Sequence, residues 1–465
     1  MNNIYFSSYY TQTFIITFFV LMSICFAFFL DLMLPWMWFA FAAFEVLGFF
    51  YFTQMFSKKW RSLPVEIFTK KLLIVSFVLR VIWVVFSYFF FEYHTGFPFE
   101  FNAGDSLTYH AAGKSILYHG FLNLDSALWG LGMSDRGYPV FIGIIYSVFG
   151  DNLIMPRLFN AFFGAFSAVL VYRLAKKLFS EEVGRLAGVM FMLMPNLIYY
   201  CGVHLKETLM IFLVLLFLIG ANDLSRTKVK YYKVIMVILL GSSLLFFRTV
   251  LFASLFFALF SMLLLVRKTG SNVLQRFIIG IYILVVFWFT YSDRIISEFD
   301  YLVENTEAQS QSIQSLSTLK RGNRLSEYGS AIVFAPIIII APIPTFVNIE
   351  HQKVQMMLSG GYFVKNVLAF FVLLSLISFI RKRQFRKYIL ILSFMLAYLA
   401  ILAQSRFALS ERFHLVILPI FLILAAYGYT LVNKKNTKYY IPYLVFLVIL
   451  VIGWNWFKLS GRGMI

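Results

Sequence analysis

Apolar stretches about as long as a bilayer is thick recur along the chain, at 12–30, 34–54, 72–92, 154–174, 184–201, 207–222, 234–250, 251–266, 275–291, 362–380, 388–404, 412–431 and 440–457. A helix needs about 20 mostly apolar residues to cross. Only helices or closed barrels satisfy their own backbone polar groups in lipid. Such a sequence is expected to fold as an all-α polytopic membrane protein with about 13 transmembrane helices. Only 13% of its 465 residues are charged, against about 25% in soluble domains. That is too few to cover a water-facing surface, which excludes a soluble enzyme, a disordered protein and a DNA-binding domain.

The net charge of +19 does not point to nucleic acid. Basic residues sit in short clusters between apolar runs, the pattern that sets membrane topology. With a cytoplasmic N-terminus, 24 of the 40 Lys and Arg fall in the inner segments 58–71, 173–185, 226–233, 267–276, 381–387 and 434–438. The run 138–149 is too short to cross, and 331–347 carries Pro336, Pro342 and Pro344, which interrupt a helix. Both are read as interfacial or re-entrant pieces on the outer face. A crossing by 331–347 would turn the cluster at 381–387 outward. The first fourteen residues hold no Lys or Arg, so they lack the charged start of a signal peptide and the first span is expected to be kept. Cys25 and Cys201 lie in apolar segments and form no disulfide or zinc framework. The chain holds no Asn-x-Ser/Thr acceptor, which fits a bacterial envelope protein.

Polar chemistry is concentrated in the outer segments. In the loop 93–136, Asp105, Tyr109 and Ala112 share a helical face that Ile116 extends, with His110, Lys114 and His119 nearby. This reads as an amphipathic helix on the membrane surface. Asp105 could cap it, since Asp is a favoured N-cap residue, or face a cavity, or both. His204, Lys206 and Glu207 mark another outer turn, either as interfacial snorkelling or as a second acidic group with a cation. A third turn carries Arg406, Glu411, Arg412 and His414, either as a self-paired Arg–Glu cluster or as a phosphate site, for which the planar guanidinium is suited. Arg248 is a lonelier candidate of the same kind. Inside the spans lie Glu45 and Arg80, expected to pair and hold the first hairpin to the bundle.

Between 134 and 209 the order is distinctive. Asp135 precedes Tyr138-Pro139, and a short apolar run closes with Phe149-Gly150. Arg157 and Asn160 follow, then a basic Lys176-Lys177-Leu178-Phe179 turn, a span ending at Pro195, and Glu207. Over residues 72–225 the chain resembles polyprenyl-phosphate-sugar-dependent glycosyltransferases of the GT-C fold. Within them it is most similar to the protein O-mannosyltransferase and aminoarabinose transferase group, in its bacterial cell-envelope branch. The resemblance implies interfacial helices and the catalytic acidic group in the first outer loop. Two departures stand out. Arg136-Gly137-Tyr138-Pro139 replaces a His-Pro-Pro or Lys-Pro-Pro, which blurs which basic residue meets substrate. His204-Leu205-Lys206-Glu207 replaces an Asp-containing motif, which leaves a divalent metal open and no cofactor certain.

The expected organisation is an extra N-terminal hairpin (1–57), a GT-C-like transmembrane module (58–291), a large outer loop (292–361) and C-terminal transmembrane helices (362–465). The expected activity is transfer of a sugar from a polyprenyl phosphate to an envelope lipid, glycan or protein, with inversion, on the outer face of a bacterial cytoplasmic membrane. Asp105 would act as base, with Glu207 as second acidic group. Tyr109, His110, Arg136, His204, Lys206, Arg248, Arg406, Arg412 and His414 would bind substrate or phosphate. An O-antigen-type polysaccharide polymerase, and a lipid or solute transporter or flippase, are the alternatives.

Overall fold

A computed structural model describes residues 5–226, 231–265, 338–404, 410–460 and 462–464. Among these the structure is helical, with no strand beyond an isolated bridge between Met33 and Val347. The chain is thus a polytopic helical protein in which eight described helices are long and apolar enough to cross a bilayer. They become nine if the bent pair Glu181–Leu193 and Pro195–Gly202 is one span. The expected thirteen is not reached among the described residues. Three expected spans are shorter apolar helices, Tyr231–Phe246, Thr249–Leu265 and Leu418–Thr430. The stretch 412–431 shows why length in sequence overstates length in structure. A turn of helix at Glu411–His414 ends, and the chain restarts as a helix only at Leu418, with Pro419 in its first turn. The expected span at 275–291 and most of the loop 292–361 lie outside the described residues.

The first two helices, α1 (Ser8–Phe28) and α2 (Trp36–Lys59), form the N-terminal hairpin, and α3 is Val65–Thr95. After two shorter helices, α4 (Gly104–His119) and α5 (Gly137–Phe149), come α6 (Ile154–Leu178), α7 (Glu181–Leu193), α8 (Pro195–Tyr199) and α9 (Glu207–Arg226). Then follow α10 (Tyr231–Ser243), α11 (Thr249–Leu265), α12 (Ser359–Arg381), α13 (Ile389–Gln404), α14 (Glu411–His414), α15 (Leu418–Thr430) and α16 (Tyr440–Ser460). Close crossings depend on glycine. A Cβ on Gly428 would lie 1.8 Å from the Phe371 carbonyl oxygen, and one on Gly360 would lie 2.3 Å from that of Ala42.

The bundle has two chemically distinct ends. At the basic end Arg185 donates to the carbonyls of Trp60 (2.8 Å) and Leu63 (2.7 Å), and Lys177 pairs with Asp223 (2.7 Å). Phe179 stacks there on Tyr427 and Tyr388. The opposite end carries the segment between α3 and α6, the turn before α9, and residues 338–358. Part of that last segment is extended and buried, which an apolar interior tolerates only if its backbone is paired. Asn366 donates to the Pro342 carbonyl (3.0 Å), Asn455 accepts from the Phe346 amide (2.8 Å), and Ser359 bonds both N–H and C=O of Thr345. The 331–347 run, expected as interfacial or re-entrant, is non-helical from 338 onward.

Glu45 and Arg80 do not pair with each other. Arg80 is fully buried and donates to the carbonyls of Met192 (3.3 Å) and Phe191 (3.4 Å) and to the Ser76 hydroxyl (2.5 Å). Those two carbonyls end α7, where Pro195 forbids continuation and the axis bends by 57°. Glu45 accepts instead from the Gly361 amide (2.8 Å), in the first turn of α12. Each charge therefore satisfies a helix end, a cation on terminal carbonyls and an anion on initial amides. Replacing Arg80 by Met should cost about 1–3 kcal/mol for each carbonyl left unpaired. Glu45→Gln, which keeps an acceptor, should cost less. In a double-mutant cycle read by unfolding in detergent, the two effects should add within about 0.5 kcal/mol. A larger coupling would restore the direct pair.

Candidate functional site

The segment between α3 and α6 folds back over the end of the bundle. Gly113 of α4 and Gly143 of α5 allow this. A Cβ on Gly113 would lie 2.5 Å from Ile142, and one on Gly143 would lie 3.0 Å from Ile116. The buried face of α4 is Ser106, Tyr109, Gly113 and Ile116. Asp105 lies one position off that face, and its side chain is 57% exposed. It is not the N-cap: Ala103 occupies that position, and no side chain caps the helix. The Asp105 carboxylate is 2.5 Å from Nη1 of Arg412 instead.

Arg412 links two acidic groups. Its Nε donates to Glu207 Oε1 at 3.0 Å, and the same oxygen faces Nη2 of Arg248 at 3.5 Å. Glu207 opens α9 and its side chain is fully buried, so it is not a snorkelling residue at a helix mouth. Arg248 also donates to the Tyr398 hydroxyl (3.2 Å) and lies over the Phe413 ring (4.0 Å). Segments distant in sequence thus build one alternating row, Asp105, Arg412, Glu207 and Arg248. Burial alone would weaken the charge on Arg412, but Glu207, Tyr200 and Asp105 outweigh it and hold the guanidinium protonated. The Arg–Glu pair expected within 406–412 does not form between Arg412 and Glu411.

Lys206 is spent structurally. Its ammonium donates to Asp135 (2.6 Å), the Ser134 carbonyl (2.9 Å) and the Phe247 carbonyl (2.6 Å), which uses all three of its hydrogens. Tyr109 donates to the same Asp135 oxygen (2.6 Å). Burial would raise Asp135, but Lys206 and Tyr109 hold it below the usual carboxylate range. His204 and His110 belong to a separate chain. Arg157 Nε donates to His204 Nδ1 (3.1 Å), so that nitrogen bears no hydrogen. Nε2 of His204 then donates to the Tyr146 hydroxyl (3.3 Å), which in turn donates to His110 Nδ1 (2.8 Å). Burial, with Arg157 and His110 nearby, pushes His204 well below its ordinary value and keeps it neutral.

Beside Arg412 lies a cavity of about 250 Å³, whose wall includes Glu100, Tyr200, Tyr362, Glu411, Arg412 and Lys458. Glu411 accepts from Tyr362 (2.8 Å), Tyr200 (3.4 Å) and Asn196. Burial nevertheless pushes its carboxyl up to about 7. Lys458 donates to Thr345 (2.6 Å) and Gln352 (2.7 Å). Of the expected site residues, Arg412 reaches this wall, and Asp105, Glu207 and Arg248 are tied to it. His414 is buried beside Lys365 (3.3 Å). Arg136 pairs at the surface with Asp125 (2.6 Å), away from the cluster. Arg406 lies outside the described residues. Glu100, Asp135 and Lys458 were not singled out from sequence as site residues, and neither was Glu411 beyond the self-paired cluster. Glu100 sits in an aperiodic loop, and Lys458 looks like an ordinary basic residue at a helix end. Among the described residues no three His, Cys, Asp or Glu gather as metal ligands would. The described residues thus offer no such three-ligand set for the divalent metal left open by sequence.

Compared with protein families and with curated proteins, the chain matches none. The raised Glu411 predicts a pH signature. Its folded-state value lies above the unfolded one, so the folded protein holds an extra proton between the ordinary value of 4.5 and about 7. Stability should fall as pH rises through that window, with a slope approaching about 1.4 kcal/mol per pH unit. Thermal unfolding in detergent should show that slope in the wild type and a flatter one in Glu411→Gln.

Proposed function

We propose that the protein is a membrane glycosyltransferase that moves a sugar from a polyprenyl-phosphate donor to a hydroxyl of an envelope lipid, glycan or protein. The observation that carries the reading is Arg412, a guanidinium held between Asp105 and Glu207 at the wall of a small cavity lined by both polar and apolar side chains. Sugar departure builds negative charge on the phosphate, and preorganised donors aimed at developing charge are a large catalytic term. A guanidinium offers paired donors to a phosphate. Asp105 and Glu207 enter as the groups that fix its orientation. The cavity suits a head group, being below the roughly 300–1,000 Å³ of typical ligand pockets. The lipid tail would run along the apolar, Phe-rich helices. Attack opposite the departing phosphate gives inversion at the anomeric carbon. The basic clusters favour a cytoplasmic position for the opposite end, and so an outer one for the cavity. A transporter would want paired charges at mid-membrane, whereas Glu45 and Arg80 satisfy helix ends rather than each other. A polymerase differs by using a lipid-diphosphate-linked glycan.

In proteoliposomes fed undecaprenyl-phosphate-linked sugars, Arg412→Ala should lower transfer by about 10²–10³-fold, the cost of losing a charge-stabilising donor. Arg412→Lys should recover part of it, because an ammonium lacks the paired geometry. Full activity in Arg412→Ala would remove this residue, and transfer only from diphosphate-linked glycans would favour the polymerase. Orientation has its own check. Cys25 and Cys201 are fully buried, so a cysteine placed at the fully exposed Leu122 should label from outside with an impermeant reagent. One at Arg383 should not.

A further inference from the structure

Lys206 and Lys458 are buried ammonium groups at the same end of the bundle, but their surroundings differ. Lys206 spends all three hydrogens and pairs with Asp135. Lys458, in the last turn of α16, is 9% exposed and donates to the Thr345 hydroxyl (2.6 Å) and the Gln352 side-chain carbonyl (2.7 Å), both neutral. Its third hydrogen has no acceptor among the described residues, and the ion pairs around the cavity do not include it. The Trp454 ring lies 5.2 Å from Nζ. Arg462, whose Nη1 donates to the Lys458 carbonyl (2.7 Å), brings a second cation to this corner rather than a carboxylate. A buried charge is ordinarily paired and fully hydrogen-bonded.

Lys458 and Trp454 stand on the wall of the same cavity as Arg412. The two cations belong to different corners of it. From Arg412 the wall runs through Glu411 to Tyr362, back along α12 to Ser359, and across Thr345 to Lys458. The step along α12 is nearly one helical turn, which spans about 5.4 Å. The corners also differ in charge. Arg412 lies between Asp105 and Glu207, in a row that Arg248 completes. Glu411 spends its oxygens on Tyr362, Tyr200 and Asn196. At Lys458 a positive charge is left that no described carboxylate offsets within ion-pair reach.

We propose that the cavity receives a sugar that carries its own negative group, a carboxylate or a second phosphate, and that Lys458 holds this group while Arg412 faces the phosphate on the anomeric carbon. This rests on the glycosyl-transfer reading and names the class of sugar transferred. A neutral sugar would leave the Lys458 ammonium bare. Two anionic groups with a sugar ring between them match two cations with a helical turn between them. The phosphates of a diphosphate share one bridging oxygen and match that spacing less well. Trp454, beside the ammonium, offers a flat apolar face to the ring. An ammonium acts as a point charge, so its chemistry suits carboxylate and phosphate alike.

The test is calorimetric titration of the full chain in detergent at fixed ionic strength, with glucose 1-phosphate, glucuronic acid 1-phosphate and glucose 1,6-bisphosphate as probes. The wild type should bind one of the two doubly anionic sugars at least about tenfold more tightly than glucose 1-phosphate, the worth of one charge-assisted hydrogen bond. Whichever gains identifies the group as carboxylate or phosphate. Lys458→Gln, which can still bond Thr345, should lose the preference and bind glucose 1-phosphate as the wild type does. Lys458→Arg, which restores the charge, should keep the preference. Equal affinity of the wild type for all three probes, or for none, overturns the inference without recourse to any variant. A preference that survives in Lys458→Gln also overturns it. So does inorganic pyrophosphate bound about tenfold more weakly by Lys458→Gln than by the wild type, because the second anion is then a neighbouring phosphate. Equal affinities together with loss of glucose 1-phosphate binding in Arg412→Ala would sink the inference and leave the phosphate reading standing. A preference lost in Lys458→Gln, beside an Arg412→Ala protein that binds glucose 1-phosphate unchanged, would support the Lys458 site while the phosphate reading fails.

Discussion

An apolar interior has no water to complete a broken hydrogen-bond ladder, and the architecture turns on how this chain deals with that at Leu193–Pro195. Proline ends α7 and frees its last carbonyls. Arg80 of the neighbouring α3 supplies the missing donors. The bend this permits turns α8 so that Asn196 and Tyr200 reach Glu411, and it sets the turn from which His204, Lys206 and Glu207 project. Remove the capping cation, and the bend leaves buried carbonyls bare.

The same rule recurs at the other irregularities. Glu45 answers the first amides of α12, and Asn366, Asn455 and Ser359 answer the extended segment that closes one side of the cavity. Buried charges in this bundle therefore solve backbone problems first. Buried charge alone is a weak sign of function here, and the distinction that matters is whether a group's hydrogen-bonding capacity is used up. Lys206 has none left. Lys458 has a hydrogen to spare.

Around the cavity the charges compensate one another. Asp105 and Glu207 face Arg412 and Arg248, and Asp135 faces Lys206. A row that is neutral as a whole can be buried with far less penalty than a lone ion. It also holds Arg412 in one orientation before any ligand arrives, which lowers the reorganisation needed when charge develops nearby.

Apolar run length and the clustering of Lys and Arg made the helical membrane class legible, because lipid imposes both on local sequence. Arg412, Glu207, Arg248 and Asp105 were legible as polar residues at turns between apolar runs. Their partners were not. Arg412 chooses Glu207, 205 positions away, over adjacent Glu411, because tertiary packing, not chain proximity, sets which charges share a buried volume. The helical face containing Asp105 was misread by one residue, since the packing of Gly113 and Gly143 against isoleucines, not the apolar pattern, fixes how α4 is rotated. Run length also overstated helix length at 412–431, because the helix there begins only at Leu418, with Pro419 in its first turn. Sequence determined what kind of solvent this chain must fold in. Only the tertiary structure decided which buried groups satisfy each other and which, like Lys458, are left with capacity for something else.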